Sequence, residues 1–136
     1  MEMKITFPGG KRVNAEFNNQ IVPTDQPVVA GGEGAAPTPF EYFLASLGTC
    51  AGIYVLSFCQ QRQIDTEGLL LTQQMEFADD ADGKRRLAKV SMKIDLPVGF
   101  PEKYQNAIIK AAELCTVKKV LMAPPDFEIT ARLSSC

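Results

Sequence analysis

The chain has 136 residues, 46% of them hydrophobic and 22% charged, with a formal net charge of −2. That size and balance predict one soluble globular domain over residues 1–136 with a core sufficient to fold without staples. They exclude a basic surface for nucleic acid, so no nucleic-acid partner is expected. The sequence holds no histidine, which removes the usual general base, the commonest nitrogen metal ligand and any Ser-His or Cys-His pair.

The first thirty residues read as short strands. MKITF runs into the turn signal Pro8-Gly9-Gly10, and RVNAEF then alternates apolar and polar side chains. IVPTDQPVV carries two prolines and suits an edge strand or a loop. AGGEGAAPTP is a Gly- and Pro-rich connector; it has neither GxGxxG spacing nor a following GK[ST], so it is not a phosphate loop.

From Pro39 to about Arg62 the pattern is helical. Thr38 is placed to cap, Pro39 to open the first turn and Glu41 to complement the helix dipole. Phe40, Phe43, Leu44, Leu47, Ala51, Tyr54, Val55 and Phe58 recur at helical spacing, and the opposite side is also apolar or small. Such a helix is either buried or membrane-spanning. Two glycines, two serines, a threonine and a terminal Gln-Gln within the uncharged run favour a buried central helix, with no membrane partner.

The period then changes to two. Leu69, Leu71, Met75 and Phe77 share one face, and Ala88, Val90, Met92, Ile94 and Leu96 share another, with Asp82-Gly83 as the hairpin turn between them. Pro101 opens a second helix with Tyr104, Ala107, Ile108, Ala111 and Cys115 on one stripe. TVKKVL adds a short helical turn and FEITARL a closing strand. The order βββ-α-ββ-α-β predicts an α+β fold with antiparallel strands.

Cysteines stand at 50, 59, 115 and 136, without a CxxC pair or a histidine to complete a metal set, so no metal or cofactor is expected. The N-terminus MEMKITFPGG lacks the apolar stretch of a signal peptide, and the expected setting is the cytoplasm with reduced thiols. Cys136 reads as a free terminal thiol. Cys59 follows Cys50 by nine residues, half a turn off at about 100° per residue, and reads as packing. Cys50 and Cys115 lie on the apolar stripes of two helices that should pack together. They are either small core residues or a facing pair of reactive thiols. A helix restarting at Thr116, with Lys118 and Lys119 close by, would favour a thiolate at Cys115, whereas apolar burial would oppose one at Cys50.

GGEGAAPTPFEYFLASLGTCAG, followed by LCTVKKVL, resembles the OsmC/Ohr family of osmotically inducible and organic hydroperoxide resistance proteins; members often have Cys-Pro-Val at the second motif. The resemblance spans nearly the whole chain. It implies an intertwined homodimer in which antiparallel sheet wraps two central helices, with active sites at the subunit interface. It also implies that the first cysteine, Cys50, attacks a hydroperoxide and the second, Cys115, resolves it, with a dithiol as reductant. In the peroxidase branch a glutamate directly after the motif proline works with an arginine from the N-terminal strands. Here Phe40 follows Pro39, Glu41 comes one place later, and Arg12 is the one arginine in the N-terminal region. Glu41 then either activates Cys50 with Arg12 or serves the helix dipole, and the shift resembles the general OsmC-like branch. The chain is accordingly expected to be a thiol-dependent organic hydroperoxide peroxidase. The alternatives are a noncatalytic protein binding a small apolar ligand at the dimer interface, or a redox sensor.

Overall fold

The computed structural model describes residues 1–134; the expectation for Cys136 lies outside them. Two compact units make up the chain, Met1–Ser46 and the residues from Leu47 on.

The first unit opens with an antiparallel meander of β1 (Lys4–Gly9), β2 (Arg12–Phe17) and β3 (Gln20–Thr24) in the order β1-β2-β3. Asn18 and Asn19 both take positive φ, 48° and 59°, which makes the tight two-residue turn that matches strand twist. Pro23 sits in β3 at the edge of the sheet, where a missing N–H costs no ladder bond on the open side. After β3 the chain folds around Asp25, a buried carboxylate. Its Oδ1 accepts the Gln26 amide at 2.7 Å, and its Oδ2 accepts the amides of Glu33 at 3.2 Å and Ala35 at 3.0 Å. The Gly-rich connector is therefore an ordered loop wrapped on one side chain.

Those amides hold the Asp25 carboxyl below the usual carboxylate range, the Ala35 amide most strongly; burial opposes them and the Arg12 charge assists. A folded-state value below the unfolded one contributes stability that is present above the unfolded value and is lost as the pH falls through the folded one. Acid titration below about pH 4 is thus expected to loosen this loop in the wild type. Asp25→Asn should remove that acid-dependent part of the transition, and hydrogen exchange at Glu33 and Ala35 measures it. Exchange at both amides that does not respond to acid in the wild type would contradict this account.

Helix α1 (Pro39–Gln61) starts with a reciprocal capping box. Thr38 Oγ1 accepts the Glu41 amide at 3.2 Å, and the Glu41 carboxylate accepts the Thr38 amide at 2.8 Å.

In the second unit the rest of α1 buries Leu47, Ala51, Val55, Phe58 and Cys59, a stripe at helical spacing. Val55, Phe58 and Cys59 form a core with Ile108 of α2 (Gln105–Ala112). Strands β4 (Leu70–Asp79) and β5 (Arg85–Asp95) form an antiparallel hairpin, with Leu71 and Ile94 packed on that core. Asp80 organises the hairpin turn by accepting the amides of Asp82 and Lys84, and Gly83 supplies φ +74°. Pro101 leads into a 3₁₀ turn at Glu102–Tyr104 before α2, and a break at Glu113–Cys115 separates α2 from α3 (Thr116–Met122).

Two expectations change. The all-round apolar character of α1 does not translate into all-round burial, since Ile53 is 54% exposed and one stripe alone is buried. FEITARL is not a strand: Phe127, Ile129 and Leu133 are 85–99% exposed and among the described residues no strand pairs with them. Alternation shows which side chains would share a face; a strand also needs a partner strand, and among the described residues none pairs with this segment.

Candidate functional site

The site is built where α1 meets the start of α3. Cys115 is the N-cap of α3, with φ −46° and ψ 117°. Its sulfur accepts the Lys118 amide at 3.4 Å and lies 3.8 Å from the Leu47 carbonyl. The thiol is 2% exposed. A helix start leaves its first amides without a helical carbonyl. The Lys118 amide goes to Cys115 Sγ, those of Thr116 and Val117 serve Cys50, and the Lys119 amide makes the first helical bond, to the Cys115 carbonyl at 3.1 Å.

Cys50 is half-buried. The Val117 amide, foremost, together with the Cys115 thiol and the amide and hydroxyl of Thr116, holds its thiol below the ordinary range against the opposing effect of burial. A sulfur surrounded by donors is stabilised as the thiolate, the nucleophilic form. Lys118 meets Cys115 through its backbone amide. Tyr54, one turn after Cys50 on the same helix face, has its hydroxyl 3.0 Å from Thr116 Oγ1.

The structure brings Cys50 and Cys115 together. Cys59 is buried in the core, and its burial pushes that thiol up, with the Arg62 charge opposing. It is packing, as its spacing predicts. Arg12 forms an ion pair with Glu33 of the Asp25 loop, and Glu41 is engaged by Thr38. Thr116, Val117 and Tyr54 escape a reading by residue type. Their signals are positional: Thr116 and Val117 directly follow Cys115, and Tyr54 lies four residues after Cys50.

Beside Cys115 an open apolar groove of about 490 Å³ is lined by Leu47, Ala51, Met92, Ile108 and Ala112 among others; Cys50 is not part of its lining. Among the described residues no cluster of three or more Cys, Asp or Glu side chains could hold a metal ion.

An α+β chain with two apposed thiols at a helix junction defines a class of thiol-bearing domains. The family model described as OsmC-like protein matches residues 32–130, and the chain belongs to this family. Among solved structures it is similar to an osmotic stress induced and detoxification response protein from Psychrobacter arcticus 273-4. That pair shares 26% identity with a TM-score of 0.70, covering 86% of this chain and 85% of that one. It also resembles an organic hydroperoxide resistance protein from Legionella pneumophila, at 18% identity and TM-score 0.60, covering 89% of each chain. The organic hydroperoxide resistance protein OhrB of Bacillus subtilis matches at 19% identity and TM-score 0.56, covering 88% of this chain and 90% of that one. The last two likenesses, at lower identity, concern the fold alone. None of the curated proteins is similar enough to match.

Proposed function

We propose that the protein is a thiol-dependent peroxidase that reduces organic hydroperoxides through Cys50 and Cys115. The observation that carries this reading is the unequal treatment of two neighbouring thiols. Cys50 is half-buried and surrounded by donors that favour its thiolate, whereas Cys115 is buried between the Leu47 carbonyl and the Lys118 amide.

In this reading the Cys50 thiolate attacks one peroxide oxygen, the O–O bond breaks, and the alcohol leaves after taking a proton. Cys50 becomes a sulfenic acid, oxidised by two electrons. The Cys115 sulfur then attacks the sulfenic sulfur, water departs, and a Cys50–Cys115 disulfide remains. An external dithiol restores both thiols by exchange and is itself oxidised to a disulfide. The sequence needs no imidazole, metal or organic cofactor. The working unit under this proposal is a cytoplasmic homodimer; the exposed apolar side chains of Ile5, Phe7, Ile21, Phe127 and Ile129 support association with a second copy.

Steady consumption of cumene hydroperoxide with dihydrolipoamide as reductant is the expected result. Consumption no faster than with the dithiol alone would overturn the proposal. The groove supports a second reading, a noncatalytic binder of a small apolar ligand, because its lining omits Cys50. Under that reading ligand-induced thermal stabilisation survives both Cys50→Ser and Cys115→Ser, and no hydroperoxide is consumed.

A further inference from the structure

Helix geometry places Cys50 and Tyr54 on one face, one turn apart. Both address the start of α3: Cys50 through the Thr116 amide and hydroxyl, Tyr54 through the 3.0 Å contact between the two hydroxyls. Thr116 has one hydroxyl proton and cannot give it to both neighbours. Tyr54 has a phenolic O–H that can donate, and a sulfur carrying negative charge can only accept.

We propose that Tyr54 is a positioning residue for Cys50: its hydroxyl donates to Thr116 Oγ1, and this directs the single Thr116 hydroxyl proton onto the Cys50 sulfur. Thr116 acts on the reacting sulfur itself, and Tyr54 acts through it. The three groups form a chain of donors ending on the nucleophile, of the kind in which each bond strengthens the next. The titratable groups facing Cys50 are Cys115, from the turn ahead of α3, and Tyr54, through Thr116. This assignment rests on Cys50 being the reactive thiol of the peroxidase reading. It makes the local donors of α1 and α3, rather than a distant ion pair, the source of activation.

The test is the pH profile of Cys50 alkylation by iodoacetamide, read on the Cys50 peptide by mass spectrometry so that the other thiols do not contribute. Thr116→Val removes the hydroxyl and keeps the amide. Alkylation near neutral pH is expected to slow roughly fivefold, with the midpoint moved to higher pH. Thr116→Ser restores the donor and should restore the wild-type profile. Tyr54→Phe should slow alkylation by a smaller factor, and should add nothing in the Thr116→Val background, since the relay is already broken. Thr116→Pro keeps a residue suited to the first helical position while removing amide and hydroxyl together, and should give the largest shift.

Tyr54→Phe alters no packing volume beyond one hydroxyl, so it decides the matter even if a Thr116 variant is unstable. An unchanged alkylation profile in Tyr54→Phe would overturn the proposal, as would equal effects of Tyr54→Phe with and without Thr116. The readout is independent of turnover. Failure of the peroxidase reading appears as absent hydroperoxide consumption by the wild type, whereas failure of this inference appears in the alkylation profile.

Discussion

Cys50→Ser is expected to lower hydroperoxide consumption by roughly a hundredfold or more, because a serine hydroxyl has no accessible anion at neutral pH. The donors that hold the Cys50 thiol below its ordinary range do not compensate, since they stabilise an anion serine does not form. Cys115→Ser should behave differently. The first oxidation of Cys50 needs no second thiol, so without added dithiol one equivalent of hydroperoxide is still consumed and the sulfenic acid persists on Cys50. Cys59→Ser should leave the rate unchanged, since that side chain lies in the core with Val55 and Ile108. Rates measured with dihydrolipoamide separate the three cases. A Cys50→Ser rate equal to that of an active wild type would exclude Cys50 as the nucleophile.

Gly32→Ala is expected to cost about 3 kcal/mol, at the upper end of overpacking effects. A methyl group at this position would lie 1.9 Å from the Gln26 carbonyl oxygen and 2.8 Å from Asp25 Oδ1. The nearest atom belongs to the backbone, so no rotamer change relieves the clash. That carbonyl also accepts the Gly34 amide at 3.0 Å, which ties it in place. Gly34→Ala is the control. Its Cβ would meet nothing within 4 Å, but φ is +64°, and the expected cost is about 1 kcal/mol from the left-handed backbone alone. Chemical denaturation measures both. A Gly32→Ala midpoint within error of wild type would contradict the close packing of this loop.

Local rules made much of the architecture legible. Thr38, Pro39 and Glu41 mark the start of α1 because capping is decided within four residues. The alternation of Val90, Met92 and Ile94 marks the inward face of β5, and Asp82-Gly83 marks its turn. That FEITARL forms no strand was not legible in the same way, because pairing needs a partner strand that alternation cannot reveal. Helical stripes brought Cys50 and Cys115 to one seam, but they said nothing of what ionises Cys50. That depends on which amides of α3 remain without carbonyl partners, a property of backbone geometry rather than residue type. The Asp25 loop was hidden for a similar reason: a single aspartate in VPTDQPVV looks like an ordinary turn residue until its three amide partners are in place.

The central claim is that Cys50 and Cys115 are a redox pair, and intact-mass analysis with peptide mapping after one equivalent of cumene hydroperoxide tests it most directly. The account predicts wild-type protein lighter by two hydrogens with Cys50 linked to Cys115, and Cys115→Ser protein heavier by one oxygen on Cys50. Wild-type protein of unchanged mass, or an oxidation mapped to Cys59 with Cys50 intact, would contradict it.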